Sequence, residues 1–157
     1  MAYSAFAVAN AFIRRANERG IRDLTPMKLQ KLVFFAQAWH LRVLGAPLLD
    51  DHFARWQHGP VIPALYHEFK DYGYHPIERM ATTLSRQWNG GADNVPMIPG
   101  HDVSSWNLVD AILDKYGHYD GVSLSAITHQ QGSAWERFGG PDGSVITYEQ
   151  LMQDQTI

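Results

Sequence analysis

A chain of 157 residues, 45% hydrophobic and 18% charged, carries enough apolar material for one packed core and excludes wholesale disorder. The absence of cysteine excludes disulfides, thiolate metal centres, iron–sulfur clusters and cysteine nucleophiles. Thirteen Lys and Arg against sixteen Asp and Glu give a net charge of −3, the wrong sign for a domain held on nucleic acid mainly by phosphate attraction. No apolar run approaches the roughly 20 residues that a spanning helix needs. Arg14 and Arg15 follow the first apolar stretch instead of preceding it, an order that does not fit a secretory leader, so a cytoplasmic protein is expected.

Residues Ser4 to Arg19 predict a first helix. Ala5, Phe6, Ala9, Phe12, Ile13 and Ala16 fall on one arc, Ser4 can cap the start and Gly20 can stop the end. Thr25-Pro26 opens a second helix with a capping hydroxyl and a proline that needs no N–H partner. From Met27 to Leu44 its apolar residues wrap nearly the whole circumference, which predicts a buried central helix ended by Gly45. Phe53 to Trp56 reads as a short strand before Gly59-Pro60, and Ile62-Pro63 starts a helix that runs to about Tyr72.

Tyr74 to Asp102 is loop-rich, and a β-hairpin turning near Asn89-Gly90-Gly91 is expected there. Ser104 or Ser105 can cap a helix holding Trp106, Val109, Ile112, Leu113 and Tyr116, and Ser123 can cap a short one from Leu124 to about Gln131. Ser133 to Ser144 reads as a Gly-rich turn region. Thr147 and Gln150 form a capping-box pattern for a final short helix, about 147–155. The expected fold is mainly α: one domain over 1–157, about six helices around the central helix 26–44, with a minor β-hairpin.

No enzyme motif is legible. Asp71 stands where the second histidine of a zinc-protease helix beginning at His67-Glu68 would be needed, and neither a phosphate loop nor a nucleophile elbow is present. The eight histidines include no pair three to five residues apart on one helix. His101-Asp102 and His118 with Asp120 have the makings of acid–base pairs, but both are ordinary loop compositions. A His-dependent metal hydrolase or nuclease therefore needs a site gathered from distant histidines.

Arg14, Arg15, Arg19 and Arg22 cluster at the end of the first helix. Lys28, Lys31 and Arg42 share a stripe of the second, with Phe35 and Trp39 alongside. Basic and aromatic residues so interleaved can stack on single strands, or the basic stems can lie over apolar surface with their heads in water. The net charge makes nucleic acid unfavoured as the main partner. Five Trp and seven Tyr suit a protein-binding surface, and Trp56, Trp88 and Trp135 fall where helical periodicity does not force burial.

Three segments are more particular than helix starts and turns. They are Thr25-Pro26-Met27-Lys28-Leu29-Gln30-Lys31-Leu32-Val33-Phe34-Phe35-Ala36, then Trp56-Gln57-His58-Gly59-Pro60-Val61-Ile62-Pro63 with Leu65-Tyr66, then Leu124 to His129 with Trp135. In this order they resemble the Panacea antitoxin domain, the family of SocA-like antitoxins and GepA-like phage-associated proteins. The resemblance runs from about Ala5 to Trp135. Phe34-Phe35 stands where a tyrosine is common, and Arg79 to Gly100 matches no family pattern.

The resemblance implies a non-enzymatic bacterial or phage antitoxin, without catalytic residues, metal or cofactor. Its partner would be a protein toxin encoded by an adjacent gene and neutralised by direct binding. One branch implies the alternative of a proteolytic adaptor or interaction protein that presents a client to an ATP-dependent protease. On the matched motifs the candidate partner-binding residues are Lys28, Lys31, Phe35, Trp56, His58, Thr128, His129 and Trp135. The candidate structural residues are Thr25, Pro26, Leu29, Gln30, Leu32, Gly59 and Pro60. Lys28 and Lys31, three apart, are expected either to reach solvent or to find carboxylates such as Asp50, Asp51 or Glu68. Gly59-Pro60 suits a close backbone approach and a fixed turn. His129 suits either the last-turn carbonyls of its helix or a pocket with Trp135.

Overall fold

The computed structural model describes residues 2–84 and 93–157. Helix α1 (Ala5–Glu18) begins where the Ser4 hydroxyl accepts from the Ala7 N–H. Helix α2 (Pro26–Leu44) begins where Thr25 accepts from the Lys28 N–H, and it stops at Gly45 in the left-handed region, φ 69°, whose N–H returns to the Leu41 carbonyl. Twelve residues of α2 are buried, and they include Lys28, Gln30, Lys31 and Gln37. Lys28 and Lys31 of the basic stripe expected along this helix are therefore inside the protein, whereas Arg42 is exposed. Arg42 turns its guanidinium to the carbonyls of Asp154 and Ile157.

Strand β1 (Phe53–Trp56) lies between β2 (Gly59–Val61) and β5 (Val145–Ile146), antiparallel to both. β1 and β2 thus form a hairpin that the sequence did not announce, earlier in the chain than the expected one. Strands β3 (Thr83–Leu84) and β4 (Asp93–Asn94) also pair, antiparallel, with Thr83 opposite Asn94. The turn expected at Asn89-Gly90-Gly91, and Trp88, lie outside the described residues.

Helix α3 (Pro63–Phe69) tightens into a 3-10 turn, Lys70–Tyr72. Helix α4 (Val103–Tyr116) is capped by Asp102, not by the serines that follow it; the carboxylate accepts from the Ser105 N–H and hydroxyl and from Tyr3 Oη. These donors hold Asp102 below the usual carboxylate range, Tyr3 contributing most. Asp120 likewise displaces Ser123 as the cap of α5 (Gly121–Thr128). Ser133 caps a short α6 (Ala134–Arg137) in the segment expected to be turn, and Thr147 and Gln150 close the capping box of α7 (Tyr148–Met152). Seven α-helices are present among the described residues.

Helix α2 is the hub: α1, α3, α4, α5, α7 and β2 all pack on it. Three buried amides complete the helix-to-loop joints. Asn10 accepts from the Ala81 N–H at 2.7 Å and donates to the carbonyls of Ala81 and Pro96. Gln37 clasps the backbone of Leu48 and Leu49, and Gln30 that of Ile62. Each amide stands in for a missing strand, because extended backbone buried beside a helix has no other partner. Asn10→Ala leaves three backbone groups unpaired in the core. It is expected to cost about 2–3 kcal/mol, read as a lower urea midpoint at unchanged slope.

Arg55 is 1% exposed and ties β1 to three later segments. Its guanidinium donates to Ser144 Oγ and the Val145 carbonyl, to the Ala134 carbonyl, and to Gln150 Oε1 at 2.6 Å. The C-terminal helices are thereby fastened to the strand that carries the loop described next.

Candidate functional site

The β1–β2 turn, residues 56–59, is held one carbonyl at a time by side chains from three helices. Trp135 of α6 donates its indole N–H to the Trp56 carbonyl at 2.8 Å. Ser125 of α5 donates its hydroxyl to the His58 carbonyl at 2.6 Å. The His129 ring nitrogens lie 3.0 Å from the Gln57 carbonyl oxygen and within hydrogen-bond distance of the Ser125 carbonyl. Lys31 of α2 donates to the Pro60 carbonyl at 3.2 Å, and Gln30 clasps Ile62 just beyond. The two uses open to His129 in the sequence are met together, since its ring also meets that of Trp135 edge-on, centroids 4.1 Å apart.

Gly59 makes this convergence possible. Its φ of +111° lies in a region that side chains avoid, and a Cβ there would stand 2.6 Å from Thr128 Oγ1 and 3.0 Å from Lys31 Cε. Thr128 itself returns its hydroxyl to the Ser125 carbonyl. The segments separated in sequence by some seventy residues thus meet at one glycine, as the |i−j| separations of 67 and 72 for Ser125–His58 and His129–Gln57 show.

Beside the turn lies a groove of about 520 Å³ between the start of α2, the turn and α3. Lys31, Trp56 and His58 line it, together with Gln30, Pro26 and Met27, and Tyr66, Lys70 and Tyr74 form the opposite side. The Trp56 and Tyr66 rings meet edge-on at 5.0 Å. A second groove, about 580 Å³, runs along α1 beside Ile77 to Met80 and contains none of the motif residues.

The candidate residues therefore separate into three groups. Lys31, Trp56 and His58 line the groove. Thr128, His129 and Trp135 brace the turn from behind. Lys28 and Phe35 belong to neither: Lys28 meets the Asp23 carboxylate and the Gly117 carbonyl, both at 2.7 Å, and Phe35 stacks on Tyr116 at 4.0 Å in the core. Of the motif's structural residues, Thr25 and Pro26 start α2, and Leu29 and Leu32 are buried in the core. Pro60 sits mid-strand in β2, opposite Arg55.

The carboxylates expected for the lysines are engaged otherwise: Glu68 pairs with Arg79, and Asp51 accepts from the Ala5 N–H. Lys31, 1% exposed, has no salt bridge among the described residues, and burial pushes its pKa down to about 7. Tyr66, part of the second motif but not among the candidate binding residues, is 43% exposed and lines the groove. Lys70 and Tyr74 gave no signal, because only the fold of α3 back toward α2 brings them to the groove.

Two of the four arginines at the end of α1 are paired with carboxylates. Arg15 pairs with Glu18 and Asp110, and Arg19 with Asp110 and Asp114. Among the described residues no three His, Asp or Glu side chains cluster to hold a metal ion, and no helix is long and apolar enough to cross a membrane. Trp135→Phe keeps one aromatic ring but loses part of the buried indole together with the N–H that holds the Trp56 carbonyl. It is expected to cost about 1–2 kcal/mol, measured by thermal unfolding.

The distant motifs of this helical domain thus converge on one turn beside a groove lined in part by aromatic rings. The chain belongs to the family of SocA-like antitoxins, the Panacea domain, whose model matches residues 29–136. It is 28% identical over 151 residues to Antitoxin SocA of Caulobacter vibrioides (strain NA1000 / CB15N), covering 96% of this chain and 78% of that protein. No solved structure matches the chain.

Proposed function

We propose that this protein is the antitoxin of a bacterial or phage toxin–antitoxin pair and neutralises a protein toxin in the cytoplasm by binding it, without a catalytic step. The observation that carries this reading is the groove itself. Its lining brings Trp56, Tyr66 and Tyr74 together with Lys31, a buried lysine without a salt bridge among the described residues, and the turn beside it is fixed by side chains from three helices. A fixed surface loses little entropy on association, and Trp and Tyr are enriched among the few residues that dominate the energy of protein interfaces.

The test is growth of bacteria in which the adjacent open reading frame is induced alone and then with this protein. Rescue of arrested growth, with the toxin still present at its former level, supports neutralisation by binding. Rescue accompanied by disappearance of the toxin replaces it with the adaptor reading, in which the chain hands its client to an ATP-dependent protease. An arrest that this protein does not relieve overturns both.

A further inference from the structure

The groove is lined by a buried lysine, Lys31, that has no counter-ion among the described residues. Lys28, one turn earlier on the same helix and equally buried, shows how such a lysine is ordinarily satisfied: a carboxylate and a carbonyl both lie 2.7 Å from its ammonium. Among the described residues Lys31 has the Pro60 carbonyl alone, at 3.2 Å, as a hydrogen-bond partner. A buried ammonium without an anion is strongly disfavoured. Lys70 and His58 line the same groove, and among the described residues no Asp or Glu does, on a chain whose net charge is −3. The local sign is therefore opposite to that of the whole molecule. Alongside the charge stand the Trp56 and Tyr66 rings and Tyr74, 92% exposed.

We propose that this groove binds a peptide segment of a protein partner, setting an Asp or Glu carboxylate of that segment on the Lys31 ammonium and a neighbouring apolar side chain against Trp56 and Tyr66. The volume of about 520 Å³ falls within the range of pockets that enclose a small ligand, and so admits these two side chains. The carboxylate would supply the anion that Lys28 finds in Asp23. The strength of such a bond comes from the dryness of the site, as with other desolvated charge pairs at interfaces. The choice of a protein segment rests on the neutralisation reading above; the demand for a carboxylate rests on Lys31 alone.

Fluorescent short peptides with a central Phe-Glu or Leu-Glu pair are titrated into the full chain and compared with the same peptides carrying Gln for Glu. The Glu peptides are expected to bind at least about tenfold more tightly, and Lys31→Met is expected to abolish that preference. A second readout needs no variant: NMR of the lysine side chains should show the Lys31 amine titrating at higher pH once the Glu peptide is bound. Equal binding of Glu and Gln peptides, an unchanged preference in Lys31→Met, or no peptide binding overturns the proposal. So does N-acetylglutamate competing as well as the peptides, which would mark a small-anion site. Failure here leaves growth rescue intact and moves the toxin to another face. Failure of rescue leaves a carboxylate-binding groove with a different partner.

Discussion

Lys31→Met is expected to make the fold more stable by about 1–4 kcal/mol, the range seen when buried charges give way to apolar residues of similar size. Methionine fills the space of the lysine stem and brings no charge into the core. The effect should depend on pH in a defined direction. In the folded protein the Lys31 amine titrates near 7, and in the unfolded chain near its ordinary value of 10.5.

Between those values the unfolded chain binds more protons, so stability rises with pH across this window, at most by about 1.4 kcal/mol per unit for one group. Below about 7 both states are protonated, and the full penalty for burying the charge is present. The gain in Lys31→Met is therefore largest at about pH 6 and shrinks toward about pH 9. Urea unfolding of both proteins at the two pH values reads the difference directly and cancels every other titrating group. A gain independent of pH, or a loss, contradicts the assignment of an unpaired buried ammonium.

Gly59→Ala should be strongly destabilising, by about 3 kcal/mol. Alanine at φ +111° is strained on its own account, and its methyl would be driven into Thr128 Oγ1 and Lys31 Cε. Both neighbours are committed: Thr128 to the Ser125 carbonyl and Lys31 to that of Pro60. Thr128→Ala removes the nearer atom, so the pair should be coupled. In that background the cost of Gly59→Ala should fall by about 1 kcal/mol, as contacting residues commonly show in double-mutant cycles. Equal cost in both backgrounds would mean that backbone strain alone keeps the glycine.

The sequence made the central helix legible because its apolar residues surround it and Thr25, Pro26 and Gly45 mark its ends. It made the first helix and the final capping box legible for the same reason: caps are local chemistry. What it hid was long-range. Nothing near Lys31 or Arg55 in the chain announces that Pro60, or Ser144 and Gln150, receive their donors. Asp102 and Asp120 won the caps from Ser104, Ser105 and Ser123 because a carboxylate placed before the helix accepts more donors than a hydroxyl inside it.

The candidate site was legible as three motifs without a geometry. Gly59 was readable as a close approach, but which atoms approach it is settled only where α2 and α5 cross the turn. Lys28 and Lys31, alike in type and spacing, could not be told apart from sequence. The first closes a salt bridge and the second faces a groove.

The most direct test of the central claim mixes purified product of the adjacent reading frame with the purified chain and follows complex formation by size exclusion with light scattering, alongside the toxin's own activity. The account predicts a stoichiometric complex in the absence of any protease, with activity falling to baseline as the chain reaches equivalence. A toxin that elutes alone and keeps its full activity in excess of the chain would contradict it.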